Sequence, residues 1–116
     1  MHFKLIIALT EDSITNKIVD AARSRGATGS TVIHSARGEG LQAAKTFFGL
    51  DLETQRDVVL LLVEEHMSRQ IIERIAEVGN FEKEPGSGIA FVLDIEDAVG
   101  LTSQIATIES EIEDQI

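Results

Sequence analysis

The chain is expected to adopt an α+β, ferredoxin-like βαββαβ sandwich, one antiparallel sheet with both helices on the same face. Three observations predict it. Four short apolar stretches rich in β-branched residues alternate with two stretches of helical period, in the order β-α-β-β-α-β. The second and third strands are separated by Arg37–Arg56, far more chain than a hairpin turn uses. The first and third strands are apolar on both faces, so the sheet face opposite the helices also needs a cover. Other copies of the chain supply that cover most simply, which predicts a homo-oligomer.

Each element follows from its residues. Phe3 to Leu9 places Phe3, Leu5, Ile7 and Leu9 on one side and Lys4, Ile6 and Ala8 on the other, a strand inside a sheet. Thr10 with Glu11 and Asp12 then offers a cap and carboxylates for the positive end of a helix. Ile14, Ile18, Ala21 and Ala22 form its apolar face, and Gly26 is placed to end it at C′. Thr28 to Ala36 contains Thr31-Val32-Ile33 and reads as the second strand. In the long loop, Leu41 to Phe48 can form a short helical turn. Asp57 to Glu64 is the third strand. Ser68 can cap a second helix whose Ile71, Ile72, Ile75 and Val78 face the core, with Gly79 as its stop. Asn80 to Gly88 is a second special loop containing the only proline, Ile89 to Asp94 is the fourth strand, and Glu96 to Leu101 is a short helix or turn. From about residue 103 to 116, Ile105, Ile108, Ile112 and Ile116 recur among acidic residues, an amphipathic C-terminal helix that must lie on its own sheet or a neighbour.

Bulk properties narrow the function. The chain has 116 residues, which fits one domain spanning 1–116, and 43% hydrophobic content supports a core. Ten basic against twenty acidic residues give a net charge of −10, which argues against nucleic-acid binding. There is no cysteine, hence neither a disulfide frame nor a thiolate metal site. No apolar run reaches the ~18 residues a spanning helix needs, so no direct membrane insertion is expected. The first residues read as a strand rather than a signal peptide, and a cytoplasmic location follows by default.

Several groups carry candidate chemistry. Gly86 and Gly88, around Ser87, would let backbone N–H groups approach an anion, or simply form the turn into strand four. There is no GxxxxGK[ST], so this is not a P-loop. Arg37 beside Gly38 can hold a phosphate or carboxylate bidentately, or pair with Glu39 or solvent. Lys45 is a weaker version of the same idea. Phe47 and Phe48, followed by Gly49-Leu50, are a partner-binding signal on the loop, or else fold back onto the sheet. His2, His34 and His66 lack any metal-binding spacing, and the acidic pairs read as a solvated surface. No nucleophile–base pair or metal triad is present, so no catalytic residue and no metal ligand is assigned.

Gly26-Ala27-Thr28-Gly29-Ser30-Thr31-Val32, the sequence Pro85-Gly86-Ser87-Gly88 running into Ile89–Asp94, and the long loop between strands two and three together resemble the PII signal-transduction proteins. The resemblance covers nearly the whole chain. It implies a cytoplasmic homotrimer that binds an adenine nucleotide such as AMP, ADP or ATP in clefts between subunits. The nucleotide would meet Gly29, Ser30, Thr31, Arg37, Gly38, Gly86, Ser87 and Gly88. The 37–56 loop, flexible and carrying Lys45, Phe47 and Phe48, would then engage a membrane transporter or metabolic enzyme. No obligatory cofactor is implied. The chain departs from the classical pattern in three ways. It has no tyrosine, so uridylylation of the loop is excluded. The lysine that classical members carry directly after the glycines is Ile89, and their two arginines after the last strand fall on Gly100 and Thr102. A polyphosphate buried without matching charge is costly, which leaves a less charged ligand such as AMP, ADP or a cyclic nucleotide open beside ATP. A metal-binding or structural trimer resembling the divalent-cation tolerance proteins, using His34 or His66, is the alternative.

Overall fold

The computed structural model describes residues 2–36, 46–47, 50–51 and 56–101. Strand β1 is Phe3–Glu11, followed by a 3-10 turn at Asp12–Ile14 and helix α1 at Thr15–Ser24. Strand β2 is Thr31–Ala36. A two-residue ladder pairs β3, Thr46–Phe47, with β4, Leu50–Asp51. Strand β5 is Arg56–Glu64, helix α2 is Glu65–Gly79 and strand β6 is Gly88–Asp94. The main sheet runs β2-β5-β1-β6, with every neighbouring pair antiparallel. This is the expected α+β arrangement.

Alternation along the strands decides which side chains form the core. On the helix face, Ile6 and Ala8 of β1 and Val59, Leu61 and Val63 of β5 are buried against Ile18 and Ala22 of α1 and Met67, Ile71 and Ile75 of α2. Fully burying one such isoleucine contributes about 1.5–3 kcal/mol. The opposite face carries Leu5, Ile7 and Leu9 of β1, in register with Leu62, Leu60 and Val58 of β5 and with Leu93, Phe91 and Ile89 of β6. Its rim includes Ile33, Leu62 and Leu93, all exposed. Among the described residues, the helices pack on the other face, and this second face is apolar and only partly buried.

The termini of the elements depart from local expectation in instructive ways. Thr10 does not cap α1. It lies within β1, fully buried opposite Asp57 and Gly88, and α1 begins at Thr15 with no side-chain cap. Sheet pairing through Glu11 has overridden the capping signal. Gly26 does close α1 with a positive φ of 112°, and Ala27 N–H donates to Ala22 O at 3.1 Å. Ser68 is not the cap of α2 either. Glu64 accepts from His66 N–H at 2.8 Å, while the Ser68 hydroxyl donates to Glu65 O within the first turn. Helix α2 ends at Gly79 as expected, but Asn80 takes the left-handed conformation, at φ 56°. Thr46–Phe47 is extended rather than part of a helical turn, because it pairs with Leu50–Asp51. Arg56 belongs to β5 rather than to the loop. No helix or strand forms over 95–101, where the backbone bends at Val99–Gly100. The C-terminal helix expected at 103–116 lies outside the described residues.

Candidate ligand-binding site

One end of the sheet gathers most of the unusual chemistry. It holds the Asn80–Gly88 loop, both roots of the 37–55 segment and the start of α1. The loop is shaped from within. Lys83 and Glu84 N–H donate to Asn80 O, Ser87 N–H donates to Glu84 O, and the Ser87 hydroxyl donates to Asn80 O at 3.0 Å. Gly86 has φ 82°, which a side chain would strain. The Phe81 ring lies between Gly79 and Gly88, and a Cβ on either glycine would run into it. Beside the loop, α2 and β6 border an open groove of about 880 Å³, lined among others by Ile72, Ala76, Phe81, Lys83, Gly86 and Ile89. Pockets of this size suit small-molecule ligands.

Two adjacent residues at the start of β5 tie this end together. Arg56 is buried, and its guanidinium crosses the end of β1 to donate to Gly86 O at 2.9 Å and Ser87 O at 3.3 Å. Its nearest described carboxylate is Glu11, 3.9 Å away. Asp57 is buried on the other sheet face. It accepts from the Thr15 hydroxyl at 2.6 Å and from Ser35 N–H at 3.4 Å, and it pairs with His34 Nδ1 at 3.2 Å. Burial pushes the Asp57 carboxyl up, but the hydrogen bonds from Thr15 and His34, the His34 charge and the Ser35 N–H outweigh it, so its pKa lies below the ordinary aspartate value. Between the Ile33–Val58 and Ala36–Arg56 pairs, β2 takes three steps while β5 takes two. The extra residue is a bulge, and Ser35 absorbs it at φ 60°.

The sequence-predicted residues fall in different places. Gly86, Ser87 and Gly88 form the loop just described, with the Ser87 hydroxyl already engaged by Asn80 O. Gly29, Ser30 and Thr31 are exposed and lead into β2, the opposite edge strand. Thr31 pairs with Leu60, four residues along β5 from Arg56, so it also sits toward the other end of the sheet by about 13 Å. A single chain does not bring these two segments together. Arg37, Gly38, Lys45 and Phe48, and the Phe47 side chain, lie outside the described residues. His34 and His66 stand near opposite ends of β5, with His34 on Asp57 and His66 on Glu64, so they do not share a site. The Glu64, Glu65 and His66 ligand atoms lie within 4.8 Å of one another, a closeness that follows from Glu64 capping α2. Sequence reading passed over Arg56, Asp57 and Lys83. The signal for the first two was an Arg-Asp pair standing immediately before a continuous apolar strand.

Among the described residues, no helix is long and apolar enough to cross a membrane. No curated protein matches the chain. Solved structures do match. CPII from Thiomonas intermedia K12 bound to ADP, AMP and acetate is 20% identical, with a TM-score of 0.64 over 83% of this chain and 88% of that one. The same protein bound to ADP, AMP and bicarbonate gives 20% identity and a TM-score of 0.61, over 82% and 87%. A PII-like signalling protein from Thermus thermophilus is 26% identical, with a TM-score of 0.58 over 82% and 90%. The family described as nitrogen regulatory protein P-II matches residues 3–104. With nearly the whole described fold inside that match, the chain belongs to the nitrogen regulatory protein P-II family.

Proposed function

We propose that the chain is a non-enzymatic regulator that assembles as a homotrimer, binds an adenine nucleotide at the seams between subunits and signals through its 37–55 segment. The observation that carries this reading is the placement of the two glycine-bearing segments. Gly29–Thr31 flanks one edge strand of the sheet and Gly86–Gly88 leads into the other, beside an apolar sheet face that the described residues bury only in part. Copies packed through that face would set the β2 edge of one beside the β6 edge of the next. The two half-sites would then meet across a seam. Burying apolar area of this kind is the dominant drive for association.

ADP and AMP are the ligands of the related CPII structures, where acetate or bicarbonate accompanies them. A nucleotide of low charge suits this chain as well. Ile89, Gly100 and Thr102 stand where the classical pattern has cations, and the described cations along the groove and its glycine loop are Arg69, Lys83 and the buried Arg56. ADP and AMP are therefore expected to bind more tightly than ATP. The regulated partner is a membrane transporter or a metabolic enzyme, engaged by the segment that carries Lys45, Phe47 and Phe48.

Light scattering on the purified chain, followed by calorimetry with AMP, ADP and ATP in the presence and absence of bicarbonate, tests the reading. The expected result is a three-chain mass and saturable binding of ADP or AMP. A monomer that binds none of the three nucleotides would overturn it.

A further inference from the structure

We propose that Arg56 is a positioning residue that carries the state of the glycine loop to the root of the 37–55 segment. The inference rests on the reading above, in which Gly86–Gly88 forms part of the ligand site. It names the physical link between that site and the segment that signals.

The geometry of Arg56 is the basis. It is the first residue of β5, where the chain returns from the 37–55 segment, and its partner in the neighbouring strand is Ala36, where the chain departs. Its side chain is only 7% exposed and reaches past the end of β1. There one planar fork holds the carbonyls of two successive residues, Gly86 and Ser87. A planar guanidinium fork fixes the directions of its partners, so a shift in either carbonyl must be answered by the fork.

Three features suit the link to transmission rather than simple bracing. Among the described residues the cation is poorly neutralised, since Glu11 is 3.9 Å away and itself half exposed, and the buried Nε–H of Arg56 has no partner there. A buried donor left in that state gains from any rearrangement that satisfies it. The loop end of the link is adjustable, because Gly86 occupies the left-handed region and lacks a side chain to lock it. The strand end governs both roots at once. Next to Arg56, Asp57 holds Ser35 N–H and the His34 ring across the bulge, where the ladder between β2 and β5 is interrupted. Displacing Arg56–Asp57 therefore moves the outgoing leg as well as the returning one.

The test uses the full-length chain and reads cleavage after Glu39 and Glu53 by a glutamate-specific protease, with products identified by mass spectrometry. Four proteins are compared: wild type, Arg56→Gln, Gly86→Ala and the double variant. ADP is expected to change the cleavage rate in wild type, and Gly86→Ala is expected to change it without any nucleotide, because alanine is strained at φ 82°. In the Arg56→Gln background both responses should shrink about fivefold or more, the lower range for coupling between two sites. ADP affinity by calorimetry should fall by less than the response does. Arg56→Lys, which keeps the charge but not the fork, should recover only part of the response. If the Gln variant fails to fold by circular dichroism, the Lys variant serves in its place. Responses to ADP and to Gly86→Ala that match wild type in a folded Arg56 variant would overturn the proposal. If wild type binds no ADP, the proposed ligand fails, and the Gly86→Ala comparison still decides the link. A Gly86→Ala effect unchanged by Arg56→Gln overturns it, and a reduced one supports it.

Discussion

Replacing Gly88 by alanine tests how tightly the glycine loop is built. A Cβ at this position would lie 2.8 Å from Leu9 O and 2.6 Å from Phe81 Cζ, with Phe81 Cε1 closer still. The ring can swing away at some cost in packing. The Leu9 carbonyl belongs to β1, in the middle of the sheet, and cannot. Overpacking of this kind costs about 1–3 kcal/mol. Alanine recovers about 0.5–1 kcal/mol relative to glycine in a strand through the unfolded chain. The net expectation is a loss centred on about 1 kcal/mol, which for a chain of this size lowers Tm by roughly 4 °C. Thermal unfolding followed by circular dichroism measures it, at one fixed protein concentration because assembly shifts Tm. The double variant with Phe81→Ala separates the two obstacles, since it removes the ring and leaves Leu9 O. Its cost should fall short of the sum of the single costs by about 0.5 kcal/mol or more. A Gly88→Ala protein that melts at or above the wild-type temperature would refute the reasoning, as would strict additivity with Phe81→Ala.

Further outcomes follow from the same structure. Asp57 has a lowered pKa in the folded chain, so its contribution is complete above the ordinary aspartate range and is lost as pH falls through the folded value. Wild type should therefore melt above Asp57→Asn at pH 7, and the gap should close below about pH 4, as read by melting curves across that range. His66 has a raised pKa because of its hydrogen bond and charge pairing with Glu64, so that contribution is complete below the ordinary histidine value and fades as pH rises through the folded one. Titration of the His66 ring followed by NMR should show a higher midpoint than in Glu64→Gln. Leu62→Glu places a charge in the second, apolar face, and light scattering should show the mass of the proposed trimer falling to that of one chain. Asn80→Val puts a β-branched residue at φ 56° and should cost about 1–2 kcal/mol in urea unfolding, while Asn80→Gly should be near neutral.

Much of this architecture was legible along the chain. The alternating run at Phe3–Leu9, the continuous apolar run at Val58–Val63 and the helical spacing of Ile71, Ile75 and Val78 mark elements whose pattern is local, and the folded chain keeps them. Gly26 is equally local, because a left-handed helix end favours glycine wherever the helix sits. The capping roles of Thr10 and Ser68 were misread for a matching reason. Both residues have the right chemistry, but strand pairing through Glu11 and the side chain of Glu64 reached those helix starts first.

The order of elements, the apolar second face and the glycine-bearing segments were thus determined by sequence alone, since each depends on residues within a few positions of one another. Tertiary structure alone decided that β1 and β5 lie at the centre, that Gly29–Thr31 and Gly86–Gly88 flank opposite edges, and that Arg56 closes on carbonyls thirty residues away. Those facts depend on which strands pair, and pairing is settled by burial summed over the whole sheet. An arginine and an aspartate at a loop's end look solvated in a linear reading. They become a buried clasp only when β1 and the loop before β6 arrive beside them.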